Sequence, residues 1–273
     1  MKHFNVQKPI VSVIIATYNR KEIISRAIES VLCQSFSDYE IIVVDDGSTD
    51  GTRDRIKELI SSKVHYFYEN NAGPDVARDL GIRKSKGKYI AILDSDDYWV
   101  DKDKLRKQVK FLDENLSYVL VGGNASVVNE LGQKIVEDID VSISDEEIRE
   151  KILIENPFIH VTAMYRKSTW EKVGGYGKNS RGFSEDWNLW LKMGKIGKIY
   201  NFKDKFACYR AGGGYSSLWR KQSVLLDLKL RMVYGRDYPH FIKGYVLGFL
   251  YYLSFFIPFR KYARLCFYKL NKK

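Results

Sequence analysis

VSVIIATYNRKEIISRAIESVLCQSFSDYEIIVVDDGSTDGT, residues 11–52, holds two short β-branched runs separated by a stretch with a different period. VSVIIA (11–16) and YEIIVV (39–44) are almost continuously apolar, the pattern of strands buried on both faces. Between them Ile23, Ile24, Ala27, Ile28, Val31 and Leu32 recur at helical spacing. Toward the C-terminus the alternation continues. A helix opens near Asp50, with Ser48 and Thr49 as nearby capping residues, and VHYFY (64–68) is the next strand. A helix over 74–84 then leads into KYIAIL (88–93). This alternation predicts an α/β fold, a mostly parallel central sheet with helices on its faces.

Beyond residue 115 the pattern is mixed, with strands predicted at 118–121, 125–128 and 159–165 and helices near 144–154 and 184–194. A helix from about 219, with Val224, Leu225, Leu228 and Met232 on one face, ends at Gly235 and begins a helical C-terminal appendage. The expected division is a body at 1–217 and a basic, aromatic-rich segment at 218–273.

Charge separates the same two parts. The chain of 273 residues has 45 Lys plus Arg against 34 Asp plus Glu, a net charge of +11. Residues 219–273 alone carry +10, so the body is nearly neutral. Within that segment GYVLGFLYYLSFFIPF (244–259) is uncharged and flanked by Lys243 and Arg260. A bilayer span needs ~20 apolar residues, so this stretch is expected to lie on an anionic membrane surface rather than cross it. The alternative is a helix packed on the body, or on a second copy in a homodimer, for which Gly244 and Gly248 offer a G-x-x-x-G match. Nucleic acid is not the expected partner, because the basic residues are interrupted by the apolar run instead of forming one hydrophilic stripe. Cys33, Cys208 and Cys266 are widely separated, and the four histidines equally so, which argues against a disulfide framework and a zinc site. MKHFNVQKPI has no apolar leader, so the expected location is cytoplasmic, at the inner face of the cell membrane.

In parallel α/β sheets a ligand sits beyond the carboxyl ends of the strands. The second strand runs into Asp45 and Asp46, and the fourth into Asp94, Ser95, Asp96 and Asp97. Neither a G-x-G-x-x-G fingerprint nor a P-loop is present. Phosphate charge would then be met by a hard divalent cation, Mn²⁺ or Mg²⁺, held by carboxylates. Asp94 and Asp96 are two apart and face one way in an extended segment, a spacing that a cation and a nucleotide sugar could share. Any single aspartate after a strand is more often a loop or helix-capping residue.

Five ordered motifs, VSVIIATYNR (11–20), VVDDGSTDGT (43–52), GPDVARDLGI (73–82), GKYIAILDSDD (87–97) and VGGYGKNSRGFSEDWNLWLKM (173–193), resemble the inverting family 2 glycosyltransferases of the GT-A fold. The resemblance covers roughly residues 9–217. It implies transfer of a sugar from a nucleotide-diphosphate donor, of the UDP type, to a lipid-linked or polysaccharide acceptor. Tyr18 and Asp46, with Thr17 and Asn19 beside them, are implied for the base and ribose, and Arg78 for the nucleotide side. Asp94 falls on the ribose side with Ser95 beside it, Asp96 on the metal, and Asp97 is the alternative ligand. Glu185 and Asp186 correspond to the family's Glu-Asp pair, Asp186 being the implied general base. Two positions depart from the family. Asp79 stands where relatives often have Asn, and Gly212 stands where a metal-binding histidine is found. Arg210 remains to meet the diphosphate through its bidentate fork, and His160 faces either acceptor or core. The competing readings are an inactive binding protein that uses its basic tail, and a sugar-nucleotide pyrophosphorylase. The second should open with a glycine-rich loop, which ATYNRKEI is not.

Overall fold

The computed structural model describes residues 8–129, 131–177, 184–210 and 220–256. The first half follows the predicted alternation: β1 (Val11–Thr17), α1 (Ile24–Leu32), β2 (Tyr39–Asp45), α2 (Thr52–Lys57), β3 (Val64–Tyr68), α3 (Pro74–Lys84) and β4 (Tyr89–Ile92). These strands are parallel, in the order β3-β2-β1-β4. Strand period 2 sorts their side chains into two cores. Ile14, Ile42, Val44, Ile90 and Ile92 face Ala77 and Ile82 of α3, whereas Val13, Ile15, Ile41, Val43 and Ala91 face Ile24, Ala27, Ile28 and Val31 of α1. A Cβ at Gly81 would come within 2.8 Å of the Ile14 Cγ2 methyl, so glycine lets α3 lie close on β1.

The second half is mixed. It comprises β5 (Tyr98–Trp99), α4 (Lys104–Glu114), β6 (Tyr118–Val128), β7 (Lys134–Val136), α5 (Asp145–Lys151), β8 (Met164–Arg166), α6 (Lys167–Val173), α7 (Glu185–Gly194) and β9 (Lys198–Arg210). β8 runs antiparallel between β4 and β6, β9 is parallel to β6, and β5 closes the edge antiparallel to β9. The two strands predicted at 118–121 and 125–128 are one, β6, whose register shifts around Gly122–Asn124. Of the predicted strand 159–165 only Met164 and Tyr165 lie in β8, and His160–Thr162 form a 3-10 turn. The Thr162 side chain holds it: its hydroxyl donates to the Ile159 carbonyl at 2.7 Å and accepts the Gly123 N–H at 3.0 Å, a side-chain substitute for ladder bonds.

The C-terminal segment forms α8 (Arg220–Tyr234) and α9 (Phe241–Leu253), followed by a 3-10 turn at Ser254–Phe256. The buried face of α8 is Val224, Leu228, Arg231 and Tyr234. Leu225 and Met232, expected on that face, are 47% and 57% exposed. The predicted stripe is therefore rotated, because a buried arginine takes a place that hydropathy gives to an apolar residue. Among the described residues no helix is long and apolar enough to cross a membrane. A Cβ at Gly244 would come within 2.2 Å of the Leu153 carbonyl oxygen, and one at Gly248 within 3.1 Å of Leu228. The G-x-x-x-G seam of α9 is thus packed within the chain.

Candidate active site

β1 and β2 end level, Thr17 beside Asp45, and their loops are sewn together by backbone amides. Asn19, in the left-handed region at φ 51°, donates its N–H to Ser48 Oγ at 2.9 Å and accepts the Thr49 N–H through Oδ1 at 2.9 Å. The Arg20 N–H donates to Thr52 Oγ1 at 2.8 Å. Asp45 accepts from the Ser48 N–H at 2.9 Å and the Tyr66 hydroxyl at 3.0 Å. Asp46 accepts the Ala72 and Gly73 N–H groups at 2.7 and 2.9 Å, one on each oxygen. Burial pushes the Asp46 carboxyl up from its usual range while those amides pull it back. Tyr18 is 44% exposed, and Thr17 Oγ1 is buried without a partner.

The second acidic run is held differently. Arg78, buried on α3, donates to Asp94 Oδ1 at 2.6 Å and to Glu185 Oε1 at 2.8 Å. Its guanidinium lies 5.9 Å from the Tyr176 ring centre, and its Nε is buried without a partner. Burial alone would raise Asp94, but Arg78 and then His160 hold it well below the usual carboxylate range. Glu185 goes the other way, because its burial outweighs Arg78. Arg20 approaches Asp96 at 3.4 Å. Asp97 Oδ1 accepts the Arg210 backbone N–H at 2.7 Å, and its Oδ2 is buried without a partner. Burial and then the charge of Asp94 push Asp96 up, and burial with Asp94 and Asp96 pushes Asp97 well up. Desolvation of its hydroxyl and then the charges of Asp97, Asp94 and Asp96 push Tyr209 up to about 12. Carboxylates that repel one another in a desolvated place, one with an unpartnered oxygen, fit a divalent cation. Among the described residues there is no preformed group of three such ligands, and Gly212 lies outside them.

Asp186 opens α7 next to Glu185. Its Oδ2 accepts from Asn156 Nδ2 at 2.8 Å and its Oδ1 from the Trp187 N–H at 2.7 Å. Ser95 is buried within the run, and Arg210 Nε is buried without a partner. The structure thus joins Asn19, Arg20, Asp94, Asp96, Asp97, Arg78, Glu185 and Arg210 through direct contacts or adjacency. His160 belongs with them: its Nδ1 is 3.5 Å from Asp94 Oδ2, and its Nε2 is 3.0 Å from the Tyr176 hydroxyl. Arg20 and Tyr176, inside two of the motifs, and Asn156, outside them, are contributors that motif reading does not single out, since each acts through a partner distant in sequence. Asp79 serves the fold through an oxygen that an asparagine would also present. Asp79 Oδ1 accepts from Trp170 Nε1 at 3.1 Å and the Tyr176 N–H at 3.3 Å, fixing the turn that brings Tyr176 under Arg78.

The Glycosyl transferase family 2 model matches residues 12–174. An uncharacterized glycosyltransferase of Rickettsia felis is 35% identical over 209 residues, which is 75% of this chain and 33% of that protein. WfaP of Escherichia coli, named as a UDP-Glc:alpha-D-GlcNAc-diphosphoundecaprenol beta-1,3-glucosyltransferase, is 43% identical over 105 residues, 38% of this chain and 41% of its own length. The chain spans less than half the length of these curated relatives. Among solved structures, residues 1–349 of S. aureus TarS in complex with UDP-GlcNAc superpose with a TM-score of 0.65 at 19% identity, over 89% of this chain and 71% of that one. The mannosyltransferase PcManGT of Pyrobaculum calidifontis, in complex with GDP-Man and Mn²⁺, gives 0.65 at 19% identity, over 94% and 72%. These likenesses carry the fold, which is the GT-A architecture. By the match of its family model over residues 12–174, the chain belongs to glycosyl transferase family 2.

Proposed function

We propose that this chain is a metal-dependent, inverting hexosyltransferase that moves a sugar from a UDP-type donor to a lipid-linked or polysaccharide acceptor in cell-surface glycan synthesis. The observation that carries the reading is the Asp94–Asp97 run, three carboxylates at the end of a parallel strand with one buried oxygen unpartnered. The names of WfaP and of the UDP-GlcNAc complex of TarS support a UDP-sugar donor, and WfaP supports a lipid-linked acceptor.

Asp96 and Asp97 would hold Mn²⁺ or Mg²⁺, and the bound cation would supply Lewis-acid stabilisation of the departing diphosphate. Thr17 Oγ1 and Arg210 Nε, both buried without protein partners, are free to bond the nucleotide, as buried donors require. Tyr18, Asn19, Asp46 and Ser95 frame the base and ribose end. Arg78 fixes Asp94 and Glu185 relative to each other, so the nucleotide side and the start of α7 form one unit. Asp186 takes the proton of the acceptor hydroxyl as it attacks the anomeric carbon, a single displacement that inverts the configuration. Glu185, paired to Arg78, holds that helix start in place.

The 218–273 segment serves as the attachment device. One face of α9 is packed through its glycines, and the other presents Ile242, Val246, Phe249, Leu250 and Leu253, between 40% and 75% exposed. Their spacing makes one apolar stripe, which suits the interface of an anionic bilayer beside the basic charges of the segment. The test is sugar transfer from a panel of UDP-sugars to lipid-linked acceptors with Mn²⁺. Transfer should be lost in chelator and in Asp96→Asn and Asp186→Asn. Full transfer by either variant contradicts the mechanism.

A further inference from the structure

We infer that helix α8 is part of the catalytic unit and that its Arg231 and Asp227 are positioning residues for Asp186, an inference that rests on the reading of Asp186 as general base. Among the described residues, the group outside its own helix that orients Asp186 is Asn156 Nδ2. Asn156 lies in the irregular stretch after α5, so what fixes that stretch fixes the carboxylate. Its carbonyls are held in series. Ile152 accepts from Trp187 Nε1 at 2.8 Å, Leu153 from Arg231 Nε at 2.9 Å, and Ile154 from Arg231 Nη2 at 2.9 Å. The Arg231 guanidinium also lies 4.6 Å from the Trp187 ring centre, next to Asp186 in sequence. One buried side chain of α8 therefore clamps both the residue beside the base and the segment that orients it.

Asp227 acts on the other side. Ser184, immediately before Glu185 and Asp186, sits at the start of α7 in the left-handed region at φ 50°. A serine there ordinarily accepts an amide of its own helix, yet this hydroxyl makes no such bond. It donates to Asp227 and lies 3.2 Å from Ser223 Oγ. A strained non-glycine conformation next to a reacting group persists only where its surroundings impose it, and here α8 does so. The seam continues along α7: the Tyr234 hydroxyl at the end of α8 donates to Asn188 Oδ1 at 2.9 Å, and the Tyr238 hydroxyl, in the turn after α8, donates to the Leu191 carbonyl at 2.7 Å. Residues 227, 231, 234 and 238 thus meet 184, 187, 188 and 191 face to face.

A small misplacement of a reacting group costs up to about 100-fold in rate without changing ground-state binding. In the full chain, with Mn²⁺ and a UDP-sugar that supports transfer, Arg231→Met should lower kcat by about 10- to 100-fold. The donor KM and the UDP-induced thermal shift should stay within about twofold, since the nucleotide side is untouched. Arg231→Lys, which can bond one carbonyl, should recover part of the loss. Asp227→Ala should lower kcat in the same way and decides the matter if Arg231→Met does not fold. Folded variants with unchanged kcat overturn the inference, as does a kcat that falls only in step with donor affinity and melting temperature. Asp186→Asn is measured in parallel. If it transfers normally, the reading of Asp186 fails; if it is inactive while both α8 variants keep full kcat, only the positioning role fails.

Discussion

Two acidic runs, Asp45–Asp50 after β2 and Asp94–Asp97 after β4, look alike in sequence and do opposite work. In the first, backbone amides and a tyrosine meet the carboxylates. Asp45 binds the Ser48 amide and Tyr66, Asp46 binds the Ala72 and Gly73 amides, and Asp50 binds the Thr52 and Lys21 amides. In the second, amides are scarce and the carboxylates face side-chain cations and one another, leaving Asp97 Oδ2 unpartnered. The difference teaches that acidic residues at a strand end build loops when backbone N–H groups converge on them, and keep oxygens open to an added cation when they do not.

The largest expected effect tests the second run. Asp96→Asn should reduce metal-dependent transfer by about 100-fold or more, several kcal/mol of lost stabilisation. It should leave the metal-free melting temperature equal or higher, because it removes a desolvated charge that Asp94 repels. Next is the bridge that holds the second run to α7. Arg78→Met leaves Asp94 and Glu185 buried without their cation and should cost about 3–5 kcal/mol in denaturant unfolding. In the first run, Asp46→Asn keeps one acceptor oxygen and turns an amide donor toward a backbone N–H. Unfolding should become easier by about 1–3 kcal/mol, the cost of one buried unmet group. The smallest effect calibrates burial outside both runs. Burial pushes Asp227 up to about 6, so the folded state holds its proton longer than the unfolded chain does. Stability therefore falls as pH rises through the window between about 4 and that value. Asp227→Asn should be more stable to denaturant than the parent above this window, by about 1–2 kcal/mol, with the difference vanishing below pH about 4.

Much of the architecture was legible because buried parallel strands advertise themselves as unbroken apolar runs, and β1 to β4 fall where those runs lie. The later strands were harder to read. β9 carries Lys198, Lys203, Asp204 and Lys205 among its apolar residues, and β5 has two residues, too few for any period. For the candidate site, motif order points to the carboxylates and Arg78, but side-chain pairing across 107 residues, as between Arg78 and Glu185, has no local signature. His160 was ambiguous for the same reason: its neighbour Asp94 becomes visible only when β8 is laid against β4. Arg231 entered the sequence reading only as one charge of the 219–273 segment, yet a guanidinium can be buried when carbonyls and an aromatic face receive it.

The most direct measurement is Mn²⁺ binding in the presence of UDP, followed by electron paramagnetic resonance, for the parent chain, Asp96→Asn and Asp50→Asn. Expected is binding that requires UDP for full strength, persists in Asp50→Asn and is lost in Asp96→Asn. Equal Mn²⁺ binding by all three would contradict the division of labour between the two acidic runs.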